Sequence, residues 1–126
     1  MFAARAYIEK GWFADACDEA AKAQALSPGN TQAIALESYA QAKTGRESEA
    51  RDRLAGLIRL SRRRFVPPYH IAIACAGLNQ TAEVLTWLER GFAARDPKMV
   101  FLKVDPRWKE VADQPRFVRL LSQMNL

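Results

Sequence analysis

The chain repeats several of its features at an interval of 34 residues. Gly11, Gly45 and Asn79 occupy one position of this repeat. Two other positions carry mainly small residues, namely Ala16, Ala50 and Val84 at one and Ala4, Ser38 and Ala72 at the other. A constant period of this length is typical of stacked supersecondary units, each of which buries its apolar face only against a neighbour. The period therefore predicts a solenoid, a scaffold that usually presents a surface to a partner.

The composition favours a single helical domain. The 126 residues are 49% hydrophobic and 26% charged, as in folded soluble proteins, and alanine is abundant. No apolar run approaches the roughly 20 residues that a membrane-spanning helix needs, and the first residues lack the pattern of a signal peptide. We therefore expect one all-α domain over residues 1–126, located in the cytoplasm and without a membrane partner.

Apolar spacing and turn residues predict two helices, A and B, in each unit. The units are expected at about 1–30, 31–64 and 65–98, followed by a cap at 99–126. In the first unit, helix A contains Ala4 and Ile8, and helix B presents Ala16, Ala20, Ala23 and Leu26 on one face. The remaining helices are predicted at 31–43, 47–61, 68–77, 81–94, 98–104, 108–112 and 115–124.

The first unit resembles the tetratricopeptide repeat. The matching residues combine a helix-breaking glycine, an aromatic residue, small alanines and a closing proline: Gly11, Phe13, Ala16, Ala23, Leu26 and Pro28. The later units keep part of this pattern and depart from it at Glu47, Arg62, Asn79, Thr81 and Val84. The stretch VDPRWKEVADQPRFVRLLSQMNL is similar to the closing segment of bacterial regulatory proteins that end in such repeats. The resemblance implies an α-solenoid of about three helix-turn-helix repeats with a C-terminal capping helix.

The first unit is shorter than the period requires. Counting back from Thr31 places its start four residues before Met1. We therefore expect a fragment of a longer chain, the C-terminal part of a bacterial regulatory or signalling protein. An incomplete first repeat would favour self-association through its exposed apolar face.

The family geometry predicts where a partner binds. In tetratricopeptide proteins the A helices line a concave groove that receives an extended peptide or a helix. The residues that the resemblance places in this groove are Arg5, Glu9, Gln32, Ala35, Tyr39, Lys43, Tyr69, His70, Ile73 and Lys103. Of the positions with which one branch of the family grips a terminal carboxylate, only Arg5 carries a suitable side chain here. Our first hypothesis is thus a non-enzymatic scaffold for a protein or peptide partner.

A cluster of arginines supports an alternative. Residues 31–64 carry eight basic and four acidic side chains, and the basic excess centres on Arg59, Arg62, Arg63 and Arg64. Cations at the end of a helix complement its dipole, whereas the same cations also neutralise the phosphates of a nucleic acid or another polyanion. Both interpretations remain open at this point, as does a third role as a dimerisation or spacer module.

Few residues suggest a reaction. His70 is the only histidine, and Cys17 and Cys75 lie far apart without a metal-binding spacing. Phosphate-binding, dinucleotide-binding and calcium-binding motifs are absent from the sequence. We therefore expect no catalytic residue, metal or cofactor, and we expect both cysteines to be packed, reduced thiols. Four aromatic residues are predicted to fill the core between the helices, namely Trp12, Phe13, Trp87 and Phe92, while Trp108 and Phe117 are assigned to the cap.

Overall fold

The computed structural model describes residues 2–102 and 106–124. Over these residues the chain is helical and contains no strand, which confirms the all-α prediction for the described part. The α-helices are α1 (Phe2–Glu9), α2 (Phe13–Leu26), α3 (Thr31–Lys43), α4 (Glu47–Ser61), α5 (Pro68–Gly77), α6 (Thr81–Ala93) and α7 (Pro115–Gln123). Two short 3₁₀ helices, Pro97–Phe101 and Pro106–Val111, lie between α6 and α7. None of the described helices is long and apolar enough to cross a bilayer.

The predicted helix boundaries agree closely with the structure. The predictions for α3 to α5 match to the residue, and those for α6 and α7 run one residue too far. The predicted short helices at 98–104 and 108–112 correspond to the two 3₁₀ helices, although residues 103–105 lie outside the described part. Asn30 caps α3, because its side-chain oxygen accepts a hydrogen bond from the Ala33 amide at 3.2 Å.

The repeating glycine position has a structural reason. Gly11, Gly45 and Asn79 all have left-handed backbone conformations, with φ of 77°, 83° and 58°. The following amide in each turn donates to the carbonyl five residues earlier, as in Trp12 to Tyr7 and Arg46 to Gln41, both at 2.8 Å. This bond closes the end of the preceding helix and reverses the chain. The 34-residue period is therefore the period of one recurring turn.

The odd-numbered helices pack beside one another. α3 lies between α1 and α5, and it also contacts α2 and α4. Ala4, Ser38 and Ala72, the third set of the sequence period, are fully buried. Small side chains at these positions let the helix backbones approach closely. The Ser38 hydroxyl is satisfied there because it donates to the carbonyl of Ala50 at 3.0 Å.

The last helix packs against α6. Phe117 and Leu120 of α7 are buried against the preceding elements. The Arg116 guanidinium joins α7 to α6 by donating to both carboxylate oxygens of Glu89, at 3.1 and 2.6 Å. This charge-assisted pair lowers the pKa of Glu89.

Some residues that the sequence assigned to the core lie at the surface. Leu26 is 89% exposed because it ends α2 and no later turn continues its inward face. Trp12 is 52% exposed, and its indole stacks on Tyr7 at 5.8 Å with the Lys10 ammonium 4.9 Å above it. Phe92 is 39% exposed. The remaining predicted core aromatics, Phe13 and Trp87, are half-buried.

Both cysteines are free and buried, which confirms the prediction of packed thiols. Burial raises the pKa of the Cys75 thiol to about 12, and it also raises the pKa of Cys17. At neutral pH both side chains are therefore protonated and behave as small apolar groups.

The approach of α5 to α3 is closest at Gly77. A Cβ atom added there would lie 2.7 Å from the Tyr39 Cα, which is backbone and has no room to move aside. We therefore expect Gly77→Ala to lower the free energy of unfolding by about 1–3 kcal/mol through overpacking. Urea denaturation monitored by circular dichroism measures this change.

Gly56 provides the matched control, since it lies inside α4 and an added Cβ would meet only the Arg59 side chain at 3.8 Å. Gly56→Ala should stabilise the protein by up to about 1 kcal/mol through helix propensity. Equal effects of the two substitutions would contradict the close approach of α5 and α3.

Candidate interaction surface

The face formed by α1, α3 and α5 holds the predicted groove residues, and the structure divides them into two groups. The accessible group comprises Arg5, Glu9, Gln32, Tyr39 and Lys43, which are half-buried or exposed. The covered group comprises Ala35, Tyr69, His70 and Ile73, each at most 6% exposed. Lys103 lies outside the described residues. The side chains of the first group are accessible to a partner, whereas those of the second group are buried.

Trp108 covers the α5 side of this face. Its ring is 2% exposed and meets the Tyr69 ring edge-on, with centroids 5.3 Å apart and an angle of 76° between the planes. The Trp108 indole N–H donates to the Tyr69 hydroxyl at 2.9 Å. The sequence assigned Trp108 to the cap, and its 3₁₀ helix lies against α5. A buried indole needs an acceptor for its N–H, and the Tyr69 phenol provides one.

Asp96 holds the covering segment to the start of α5. Its carboxylate is 4% exposed and accepts from two backbone amides, that of Tyr69 at 3.1 Å and that of Lys98 at 2.9 Å. The first bond satisfies an amide in the first turn of α5, and the second starts the 3₁₀ helix Pro97–Phe101. One side chain therefore joins the beginnings of two elements.

His70 is neutral under ordinary conditions. Its Nδ1 lies 2.9 Å from the Thr31 hydroxyl, and its side chain is almost inaccessible to water. Burial lowers the pKa of His70 to about 4, and the charges of Lys98 and Arg107 act in the same direction, while Asp96 opposes them. The imidazole is therefore a hydrogen-bonding core residue at neutral pH.

Tyr39 contributes an aromatic ring to the accessible group. The phenol ring lies beside Phe13, with centroids 6.2 Å apart, and the Lys43 ammonium is 5.4 Å above it. On α1, the Arg5 guanidinium pairs with Glu9 at 3.5 Å, and both side chains remain more than a third exposed. An aromatic ring flanked by cations thus forms the open part of the face.

Two small clefts remain between these helices and the C-terminal segment. One has a volume of about 120 Å³ and is lined by Arg5, Gln32, Tyr69, His70, Ile73, Lys98 and Arg107. The other, of about 170 Å³, is lined by Ile8, Glu9, Tyr39, Arg107 and Lys109. Arg107 borders both clefts. Among the described lining residues, cations outnumber carboxylates, so the face favours an anionic ligand group.

Sequence reasoning missed three of these cations. Lys98, Arg107 and Lys109 belong to the segment between α6 and α7, which was expected to cover the end of the repeats. The usable signal was the run Pro-Arg-Trp-Lys at 106–109, where basic residues flank a large aromatic residue. Nothing in this run alone shows which face the tryptophan joins.

A third and larger cleft, on the side of α2 and α4, contains a polar network that the sequence did not indicate. Glu37 of α3 is 5% exposed, and its carboxylate contacts Arg53 and Gln24 as well as the Gln41 amide at 3.2 Å. The cleft measures about 490 Å³ and is lined by Gln24, Ile34, Glu49, Asp52, Arg53, Gly56, Leu57 and Leu60. These bonds satisfy the buried carboxylate, and they join three helices.

The arginine cluster does not line any of these three clefts. Arg59 lies in the last turn of α4, as the dipole interpretation expects, and Arg62, Arg63 and Arg64 follow it in exposed positions. Arg64 donates to the carbonyl of Gly29 at 2.6 Å and so connects two neighbouring loops.

Comparison of the chain with protein-family models, with curated proteins and with solved structures found no match in any of the three. The geometry of the surface is therefore the basis for the functional proposal.

The low pKa of His70 predicts a specific loss of stability in mild acid. Between the ordinary pKa near 6.5 and about 4, the unfolded chain binds a proton on His70 and the folded chain does not. The contribution of the neutral His70 to the free energy of unfolding is therefore fully present above about pH 6.5. About 2–3 kcal/mol of it is lost as the pH falls to about 4.5.

The measurement compares urea denaturation of the wild type and His70→Gln at neutral and acidic pH. Glutamine stays neutral, so the variant should lose less stability over this interval than the wild type. The difference between the two proteins removes the contribution of the carboxylates, which titrate in both. Identical pH dependence would show that His70 takes up its proton equally well in the folded state.

Proposed function

We propose that this chain is an α-solenoid of three tetratricopeptide-like helix pairs that serves as a non-enzymatic scaffold for a protein partner. The recurring left-handed turns and the contacts of α1, α3 and α5 support this arrangement. The partner binds through an acidic segment on the face of these three helices. A regulatory role in a bacterial cytoplasm is the context that the resemblance of the C-terminal segment implies.

The observation that carries the proposal is the cationic border of the accessible face. Side chains from four elements contribute to it: Arg5 from α1, Lys43 from α3, and Lys98, Arg107 and Lys109 from the two 3₁₀ helices. Arginines at such sites bind carboxylates with paired hydrogen bonds, and lysines add charge with less geometric demand. Glutamate or aspartate side chains of a partner are the groups that fit this border.

Tyr39 supplies the apolar part of the site. Its ring is half-buried, and Phe13 and Lys43 hold it from two sides, so little conformational entropy is lost when a partner packs on it. The neighbouring clefts are too small for a folded element and suit single side chains. We therefore infer that the partner contributes an extended segment with acidic residues near an apolar one.

The buried reactive groups support a scaffold rather than an enzyme. Burial moves the pKa values of Cys75 and His70 away from those of an activated nucleophile or a general base working near neutral pH. Both side chains also face the packed interior or the covered part of the surface.

Charge reversal on the accessible face tests the proposal. The probe is a short fluorescein-labelled peptide that is rich in glutamate and contains one phenylalanine, measured by fluorescence anisotropy at low salt. The double variant Lys43→Glu with Lys109→Glu should weaken binding by about tenfold or more, which corresponds to about 1.4 kcal/mol.

The control double variant is Lys22→Glu with Arg51→Glu, which has the same net charge. Lys22 and Arg51 lie on α2 and α4 with 70% and 64% of their side chains exposed, away from the clefts beside Tyr39. Its affinity should change less than about twofold. Equal weakening by both variants would show that net charge alone attracts the peptide, and absence of binding to the wild type would reject the acidic-segment proposal.

A further inference from the structure

Three loops meet at one end of the helix pairs. They connect α2 to α3, α4 to α5, and α6 to the first 3₁₀ helix. The bond from Arg64 to the Gly29 carbonyl joins the first loop to the second. The bond from the Tyr69 amide to the Asp96 carboxylate joins the start of α5 to the third. We call this end, with the helix ends that lead into it, the loop edge.

The loop edge exposes large apolar side chains. Leu26 is 89% exposed, Phe65 61% and Phe92 39%. Only two other large hydrophobic residues in the described part, Trp12 and Val118, are exposed to a comparable degree. Three of these five exposed side chains therefore lie at this end, and such concentration marks an interaction surface.

The same end is strongly basic. Arg59, Arg62, Arg63, Arg64 and Arg95 are exposed there. The nearby Asp96 carboxylate is buried and already accepts two backbone hydrogen bonds, so it faces inward. The segments 53–66 and 26–31 contain no acidic residue. The edge therefore presents positive charge around its protruding leucine and phenylalanines.

We propose that the loop edge binds the surface of a membrane that contains anionic lipids. The arginines contact the negatively charged headgroups, and Leu26, Phe65 and Phe92 enter the interfacial region. A nucleic acid would also attract the arginines, but Leu26, the most exposed of the three, has no π face on which a base stacks. The proposal departs from the expectation that the chain has no membrane partner, and it concerns a surface different from the acidic-segment site.

Vesicle cosedimentation of the full chain tests this assignment. The vesicles consist of phosphatidylcholine alone or of phosphatidylcholine mixed with phosphatidylserine, at low and at moderate salt. The chain should bind the vesicles that contain phosphatidylserine, and moderate salt should release it, because the headgroup attraction is screened. Binding that is equally strong to both compositions would contradict the role of the arginines.

Two loop-edge variants separate the electrostatic and apolar contributions. Arg62→Gln with Arg63→Gln should lower vesicle partitioning by about tenfold or more, since each surface cation adds appreciably to binding. Leu26→Ser with Phe65→Ser should lower it by about fivefold while the charge stays constant. All four side chains are exposed, and circular dichroism verifies that both variants fold.

Matched controls place the same changes elsewhere. Arg46→Gln with Arg51→Gln removes two exposed arginines near the start of α4, and Trp12→Ser with Val118→Ser removes two exposed apolar side chains. Both controls should retain at least half of the wild-type partitioning. Equal losses in the controls would overturn the assignment to the loop edge.

Two other results would also overturn it. One is binding of a single-stranded oligonucleotide in preference to the vesicles, lost only in the arginine variant. The other is a dimer seen by light scattering that Leu26→Ser with Phe65→Ser dissociates, because the edge would then be covered by a second copy. The acidic-segment proposal stands or falls separately, since its variants change Lys43 and Lys109 on a different surface, which the loop-edge variants leave intact.

Discussion

The close approach of α5 to α3 is the contact on which the rest of the structure depends. It brings Gly77 against the Tyr39 backbone, where an added Cβ would lie 2.7 Å from the Tyr39 Cα. Because nothing larger fits between the two helices, their relative position is narrowly determined. α3 in turn contacts α1, α2 and α4, so its placement orients the first two helix pairs, and α5 carries α6 and the segment beyond it.

The C-terminal segment completes this arrangement by occupying part of the face that the helices form. Asp96 attaches it to the start of α5, and Trp108 packs on Tyr69 with its indole N–H bonded to the phenol. These contacts remove Tyr69, His70 and Ile73 from the solvent. They also bring Lys98, Arg107 and Lys109 next to the part that stays open. The segment therefore covers part of the face and adds cations to Arg5 and Lys43 on the part that stays open.

The prediction of helices succeeded because its signals are local. A left-handed turn requires glycine or asparagine, and proline is accepted in the first turn of a helix, so the positions of Gly45, Asn79 and Pro68 mark boundaries without any tertiary information. Burial of the small residues in each unit followed from the same period. Leu26 shows where this reasoning fails. Helical spacing assigns a residue to one face of its helix, but it does not show whether a neighbouring helix extends far enough to cover that residue.

The candidate site was predictable only in part. Arg5, Tyr39 and Lys43 were expected on the accessible face, and the structure leaves them open. Tyr69 was expected beside them, but its accessibility depends on Trp108, which is 39 residues away in the chain. The buried Glu37 is a similar case, since its partners Gln24, Gln41 and Arg53 come from three helices.

The amino-acid sequence by itself determined which residues form helices, where each turn falls and which small side chains lie between helices. These properties depend on backbone conformation and on side-chain size at a fixed spacing. Only the tertiary structure decided which face the C-terminal segment covers, which cations border the open part and which apolar side chains remain in water. Those outcomes depend on contacts between elements that are distant in the chain. Whether a side chain finds a hydrogen-bond partner or a space to fill is decided only when these elements pack together.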